Sequence, residues 1–234
     1  MRSDRFLYYQ LFEAESHTYT YILGDWHTRE AVIIDPVLET HERDLELLKE
    51  EELKLQYILE THVHADHITG AASLKEKTSA KICLSEHSGA LRADILLKDG
   101  QELKFGKHEV KCLTTPGHTD GCMSYYCEDR VFTGDALLIR GCGRTDFQQG
   151  SPDKLFHSVR EKLFRLPDET YVYPAHDYNG HTRSEIGLEK KYNPRLKLNL
   201  SSFEFSQIMN ALKLEPPKKI EVSVPANLRC GFPS

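Results

Sequence analysis

The stretch Thr61-His62-Val63-His64-Ala65-Asp66-His67-Ile68-Thr69-Gly70 sets three imidazoles and a carboxylate within six residues, directly after the apolar run 56–59. That run reads as a strand, because it is short, apolar and closed by a turn. A strand end is a rigid platform, and the turn beyond it can aim several side chains at one point. Imidazole suits zinc, iron, copper and nickel, and a carboxylate adds a hard oxygen ligand. The bland alternative is a His-rich surface loop, and three further sites argue against it. They are His118 in Thr115-Pro116-Gly117-His118-Thr119, Asp135 in Phe132-Thr133-Gly134-Asp135 and His176 in Tyr173-Pro174-Ala175-His176-Asp177. Each follows a strand-like run and sits beside Gly or Pro, which shape tight turns. Any one alone reads as a structural histidine or a turn aspartate. At four strand ends they read together as a metal centre. His17, His27, His41, His87, His108, His157 and His181 lack that strand-end setting.

The rest of the chain supplies the platforms. Residues 6–12, 18–23, 31–34, 81–84, 123–126, 131–133 and 171–173 are further strand-like runs, and 103–105 with 110–113 flank Gly106-Lys107 as a hairpin. Leu45, Leu48 and Leu55 space out a helix starting near Thr40, and another follows Thr69. Ser151-Pro152-Asp153 starts a third helix with the stripe Leu155, Val159, Leu163. Ser201 with Glu204 forms a capping box for a last helix through Leu212. Glu50-Glu51-Glu52 and Glu189-Lys190-Lys191 read as solvated helix ends or faces, and the tail from Pro216 to Ser234 as irregular apart from 220–224. Strands dominate and helices interleave, which predicts a layered α/β protein with two sheets in the middle.

Composition narrows the function class. The 234 residues carry 30 Lys plus Arg against 36 Asp plus Glu, a net charge of −6, with no electrostatic footprint for nucleic acid or an anionic membrane. No run approaches the ~18 apolar residues of a membrane span. The start, Met1-Arg2-Ser3-Asp4-Arg5, has no signal-type apolar core. Six Cys without a CxxC pair read as reduced thiols, so the expectation is a soluble cytoplasmic protein, or a mitochondrial matrix protein if a presequence has been removed.

The pattern HxHxDH followed by separated His, Asp and His resembles the metallo-β-lactamase superfamily, and within it the ETHE-type persulfide dioxygenases. The resemblance runs nearly end to end, from Thr18-Tyr19-Thr20-Tyr21 to Val224-Pro225-Ala226-Asn227-Leu228-Arg229-Cys230-Gly231. Its most specific stretch is 132–150, which holds Gly134-Asp135-Ala136 and Arg140-Gly141-Cys142-Gly143-Arg144-Thr145-Asp146.

That resemblance implies an αββα sandwich of two mixed sheets flanked by helices, as one domain over 1–234 with 180–234 a C-terminal extension. It implies one Fe(II) per chain held by His62, His118 and Asp135, which are then also the catalytic set. His64, Asp66, His67 and His176 become groups that orient the ligands or bind water. The implied reaction takes glutathione persulfide, O2 and water to sulfite and glutathione. Arg144, Tyr178 and Arg229 are candidates for holding glutathione, with Arg183 and Arg195 in reserve. Cys142 reads as a small buried thiol. Asp120 stands where many relatives carry Pro. The resemblance also allows a homodimer and a functional link to a sulfurtransferase. Two rivals stay open at this stage. A second metal on His64, Asp66, His67 and His176, bridged by Asp135, makes a dinuclear hydroxyacylglutathione hydrolase. A persulfide-binding module without catalysis is the other.

Overall fold

The computed structural model describes residues 6–217 and 219–233. Two six-stranded mixed sheets lie face to face with helices on both outer sides, the layering expected from the sequence. The first sheet runs in chain order through β1 (Phe6–Glu13), β2 (Thr18–Asp25), β3 (Glu30–Ile34), β4 (Lys54–Leu59), β5 (Lys81–Ser85) and β6 (Ile95–Leu97). Its first three strands are antiparallel and the rest parallel. The second sheet runs from β7 (Glu102–Phe105) through β8 (His108–Thr114), β9 (Met123–Cys127), β10 (Arg130–Gly134) and β11 (Tyr171–Pro174) to β12 (Ser184–Glu185). Only the β10–β11 pair in it is parallel.

Strand alternation builds the layers. Tyr21, Leu23, Val32, Ile34 and Leu59 face the second sheet, where Phe105, Tyr125 and Phe132 meet them. Their neighbours Ile22, Ile33, Ile58 and Ile82 point the other way. There α1 (His41–Glu50), α2 (Ala71–Thr78) and α6 (Ile220–Asn227) cover the sheet. Because both faces are covered, β2 is buried at all eight positions and loses the polar-out pattern of a half-exposed strand. The second sheet is covered by α3 (Pro152–Glu161), α4 (Ile186–Tyr192) and α5 (Ser202–Asn210) through Leu155, Val159, Ile186 and Phe205.

The caps follow the sequence reading. Ser151 Oγ accepts the Lys154 amide ahead of Pro152, and the Ser201–Glu204 capping box forms in both directions. Some expectations need correction. Leu55 belongs to β4, not to the helix striped by Leu45 and Leu48. Residues 220–224 lie in a helix that runs on through Pro225 to Asn227. Glu189 is not on a solvated face but fully buried in α4, where Arg140, Ser184 and Asn193 all donate to it. The short strands β6 and β12 carry too little pattern to be seen in the sequence.

Candidate metal centre

Parallel strands deliver their C-terminal ends to one edge of the sandwich, and the candidate residues collect there. His62 follows β4, His118 follows β8, Asp135 follows β10 and His176 follows β11. Gly134 makes the approach possible. Its φ is +54°, and a Cβ there would meet Thr61 Oγ1 at 2.6 Å.

One ligand atom each from His62, His118 and Asp135 falls within a 4.8 Å span. The His118 and Asp135 atoms stand 3.5 Å apart, close but without a hydrogen bond. His118 Nδ1 faces the Arg144 carbonyl at 2.7 Å, so that nitrogen donates there and Nε2 is the one turned toward Asp135. Burial, reinforced by His64 and His118, pushes the His62 pKa well below its ordinary value and leaves that imidazole neutral. The Asp135 Oδ1 atom is buried without a hydrogen-bond partner, an orphan that a cation would satisfy. Two imidazole nitrogens and a carboxylate with an orphaned oxygen fit a divalent metal.

The neighbouring residues form a second group. His64, Asp66 and His67 also bring ligand atoms within 4.8 Å, and His64 Nδ1 and His67 Nε2 are buried without partners. His176 Nε2 stands 3.7 Å from both Asp66 and Asp135. Burial favours neutral His176, but the Asp135 and Asp66 carboxylates outweigh it and raise its pKa. Asp66 moves well below the ordinary carboxylate range because His176 and His67 overcome the effect of burial.

Two functional positions escaped the sequence reading. Asp35, just past β3 with φ +50°, accepts the Thr61 amide at 2.7 Å, the Thr61 hydroxyl at 2.8 Å and His64 Nε2 at 3.1 Å. Glu60 lies 3.4 Å from the same His64 nitrogen. Burial opposes a charged His64, yet Asp35 and Glu60 raise its pKa well above the ordinary value. The strand-end logic that picked out His62 applies equally to Asp35 and Glu60.

A cavity of about 560 Å³ opens beside the cluster, lined by His62, Asp66, His118, Asp135 and His176. Arg140, Arg144, Arg195 and Tyr178 also line it, and Leu214, Glu215 and Pro217 lie across its wall. Arg144 is already engaged: it clasps Asp146 and donates to the Leu214 and Glu215 carbonyls at 3.2 and 2.6 Å. Tyr178 is 66% exposed, its ring stacked near His176 and against His17. Arg229 is not in the cavity wall, contrary to expectation. Its segment folds onto the helix-covered face of the first sheet, where Leu228 and Val224 pack and its Nε donates to Phe232. Arg183 stacks on Tyr171 and is not in that wall either. Burial raises the Cys142 pKa to about 11, so its thiol stays protonated at neutral pH. Asp120 pairs with Lys154 on the surface.

Comparison with known proteins bears on the family and the fold. The metallo-beta-lactamase superfamily model matches residues 15–176. A bovine protein (Bos taurus) named persulfide dioxygenase ETHE1, mitochondrial, is 51% identical over 226 residues, covering 95% of this chain and 88% of its own length. The chain belongs to the persulfide dioxygenase family of the metallo-β-lactamase superfamily. The crystal structure of ETHE1 from Myxococcus xanthus matches with a TM-score of 0.94 and 50% identity, covering 97% of this chain and 100% of that one. A hydroxyacylglutathione hydrolase from Brucella ovis is 44% identical over 128 residues, which cover 53% of this chain and 49% of its own. The family resemblance therefore extends through the C-terminal segment, whereas likeness to that hydrolase stops at about half of the chain. No helix among the described residues is long and apolar enough to cross a membrane.

Proposed function

We propose that the protein is a sulfur dioxygenase that oxidises glutathione persulfide with O2 and water to sulfite and glutathione. The observation that carries this reading is the near-full-length likeness, 51% identity over 95% of the chain, to a protein named a persulfide dioxygenase. In this reading His62, His118 and Asp135 hold a single Fe(II), leaving open positions as oxygen-activating iron requires. Iron bound there supplies the redox chemistry that couples the persulfide sulfur to O2.

The chain's own residues do the rest. Burial lowers the His62 pKa and so favours its neutral imidazole, while the Arg144 carbonyl takes the hydrogen bond of His118 Nδ1 and leaves Nε2 as the nitrogen that would meet the metal. Asp66 and His176 flank Asp135 and keep polar groups within reach of water or a leaving thiolate. Arg195, with Arg140 beside it already paired to Glu189, lends positive charge to the cavity wall for a carboxylate of glutathione, and Tyr178 lines the same wall. Arg144 acts mainly by holding the segment 212–217 across that wall. Residues 180–234 form an extension of the one domain, adding β12 to the second sheet. Six buried cysteines without disulfides suit a reducing compartment, cytosol or mitochondrial matrix.

The His64, Asp66 and His67 group is the observation that favours the rival dinuclear hydrolase. Metal analysis of protein reconstituted anaerobically with Fe(II) separates the two. One iron per chain with no hydrolysis of an acylglutathione thioester supports the dioxygenase. Two metals per chain with rapid thioester hydrolysis overturns it.

A further inference from the structure

The segment Val224-Pro225-Ala226-Asn227-Leu228-Arg229-Cys230-Gly231 lies beyond the matched superfamily model and contributes nothing to the cavity wall. Its one buried polar side chain of consequence is Asn227, which is 3% exposed. Asn227 Nδ2 donates to the His64 carbonyl at 2.9 Å and to the His67 carbonyl at 2.8 Å, and its Oδ1 accepts the Thr69 amide at 2.9 Å. A single amide thus closes the back of the turn that begins with His62. Gly231 seals the contact, since a Cβ there would meet the Thr69 carbonyl at 2.7 Å.

The other ligand-bearing loop is held in the same way. Asn193, fully buried after α4, donates to the Gly141 carbonyl at 3.0 Å and to Glu189 at 2.9 Å. Its Oδ1 accepts the Arg195 and Leu196 amides at 3.0 Å each. Glu189 accepts the Arg140 amide at 3.0 Å, and Arg195 donates to the Cys142 carbonyl at 3.0 Å. Three consecutive backbone positions, 140 to 142, are therefore satisfied by side chains of the C-terminal segment. The next two residues do the work at the centre: the Gly143 amide donates to the Asp135 carbonyl at 2.7 Å, and the Arg144 carbonyl faces His118.

We propose that Asn227 and Asn193 are positioning residues, by which the C-terminal segment fixes the loop that carries His62 and the loop that carries Asp135, the latter also presenting the Arg144 carbonyl to His118. Neither side chain touches the cavity, and each acts through backbone groups of a ligand-bearing loop. Asn193 engages all four of its hydrogen-bonding positions and Asn227 three of four, so both tolerate little displacement, because each lost bond strands a buried polar group. The proposal rests on the reading of those three residues as metal ligands, not on the identity of the substrate.

The test is competition between the protein and a chelator for Fe(II) alone under anaerobic conditions, comparing wild type with Asn227→Ala, Asn227→Asp and Asn193→Ala. Asn227→Asp keeps the acceptor for Thr69 but sets oxygen against the His64 and His67 carbonyls. We expect Fe(II) affinity to fall by about tenfold or more in each. Ser201→Ala, which breaks the capping box of α5, provides a destabilised control with unchanged affinity. Asparagine variants that bind Fe(II) as the control does would overturn the proposal. Should the variants not fold, the wild-type protein still decides. The Thr69 amide has Asn227 as its acceptor, so in metal-free protein it must exchange with solvent as slowly as core amides, and free exchange refutes the clamp. Wild-type protein that binds iron yet consumes no O2 with persulfide would remove the functional reading and leave this result standing.

Discussion

Adding one methyl group at Gly143 should damage the centre without touching any ligand's chemistry. A Cβ at this position would stand 2.7 Å from the Asp135 carbonyl oxygen, 2.8 Å from Asp135 Cβ and 2.9 Å from His118 Nδ1. Ordinary contact begins at 3.4 Å, so the loop or the ligands must move by about 0.5–0.7 Å. All three atoms are backbone or tightly held, and none is the loose end of a flexible side chain. Overpacking of this kind costs about 1–3 kcal/mol. The same movement strains the Gly143–Asp135 hydrogen bond, worth about 1 kcal/mol. Gly143→Ala should therefore lose about 2–4 kcal/mol, lowering Tm by roughly 4–16 °C at this chain length. Displaced His118 and Asp135 should also bind Fe(II) about tenfold more weakly. Gly141→Ala is the matched control, because its Cβ would meet only Leu138 Cβ at 3.8 Å and its φ is not left-handed. Thermal unfolding and anaerobic Fe(II) titration of both variants provide the assay. A Gly143→Ala protein that melts and binds iron like Gly141→Ala would refute the packing argument.

Glu189→Ala strands the donors of Arg140, Ser184 and Asn193 in the interior and should cost about 3 kcal/mol in urea unfolding, whereas a loss under 1 kcal/mol contradicts a structural role. Arg144→Ala should speed limited proteolysis between 212 and 215 and raise KM together, because Arg144 secures that segment. A raised KM with unchanged proteolysis would instead mean that Arg144 holds glutathione directly. Burial raises the Asp94 pKa, but the Lys75 ammonium and the Ile82 amide outweigh it and set the folded value below the ordinary one. Its stabilisation is then full above about pH 4 and fades as pH falls through the folded value. Asp94→Asn should accordingly lower Tm at pH 7 and by less at pH 3; an equal gap at both would contradict the assignment.

The layers and the edge of the sandwich where the ligands gather were legible because strand ends are local signals. His62 comes directly after an apolar run, His118, Asp135 and His176 each stand beside a Gly or Pro turn, and the structure brings all four to one edge. What escaped depends on contacts distant in sequence. Glu189 reads as one more charge in a Glu-Lys-Lys run until Arg140, 49 residues away, is seen to bury it. Asn227 sits 163 residues from the His64 carbonyl it holds, and nothing in its own neighbourhood marks it. Arg229 misled for the converse reason. Proximity of its segment to the site is real, but the contact runs through Asn227 behind the turn, and the arginine is not among the residues of the cavity wall. Arg144 reads from the sequence as a glutathione contact and does line the cavity, while its partners, the 214 and 215 carbonyls, lie about 70 residues on and leave no local signal.

The measurement that bears most directly on the function is oxygen consumption by anaerobically purified, Fe(II)-loaded protein on addition of glutathione persulfide. The account predicts rapid uptake with one sulfite formed per O2 consumed, and none with glutathione alone or after the iron is removed. Absence of uptake from protein shown to hold its iron would contradict it.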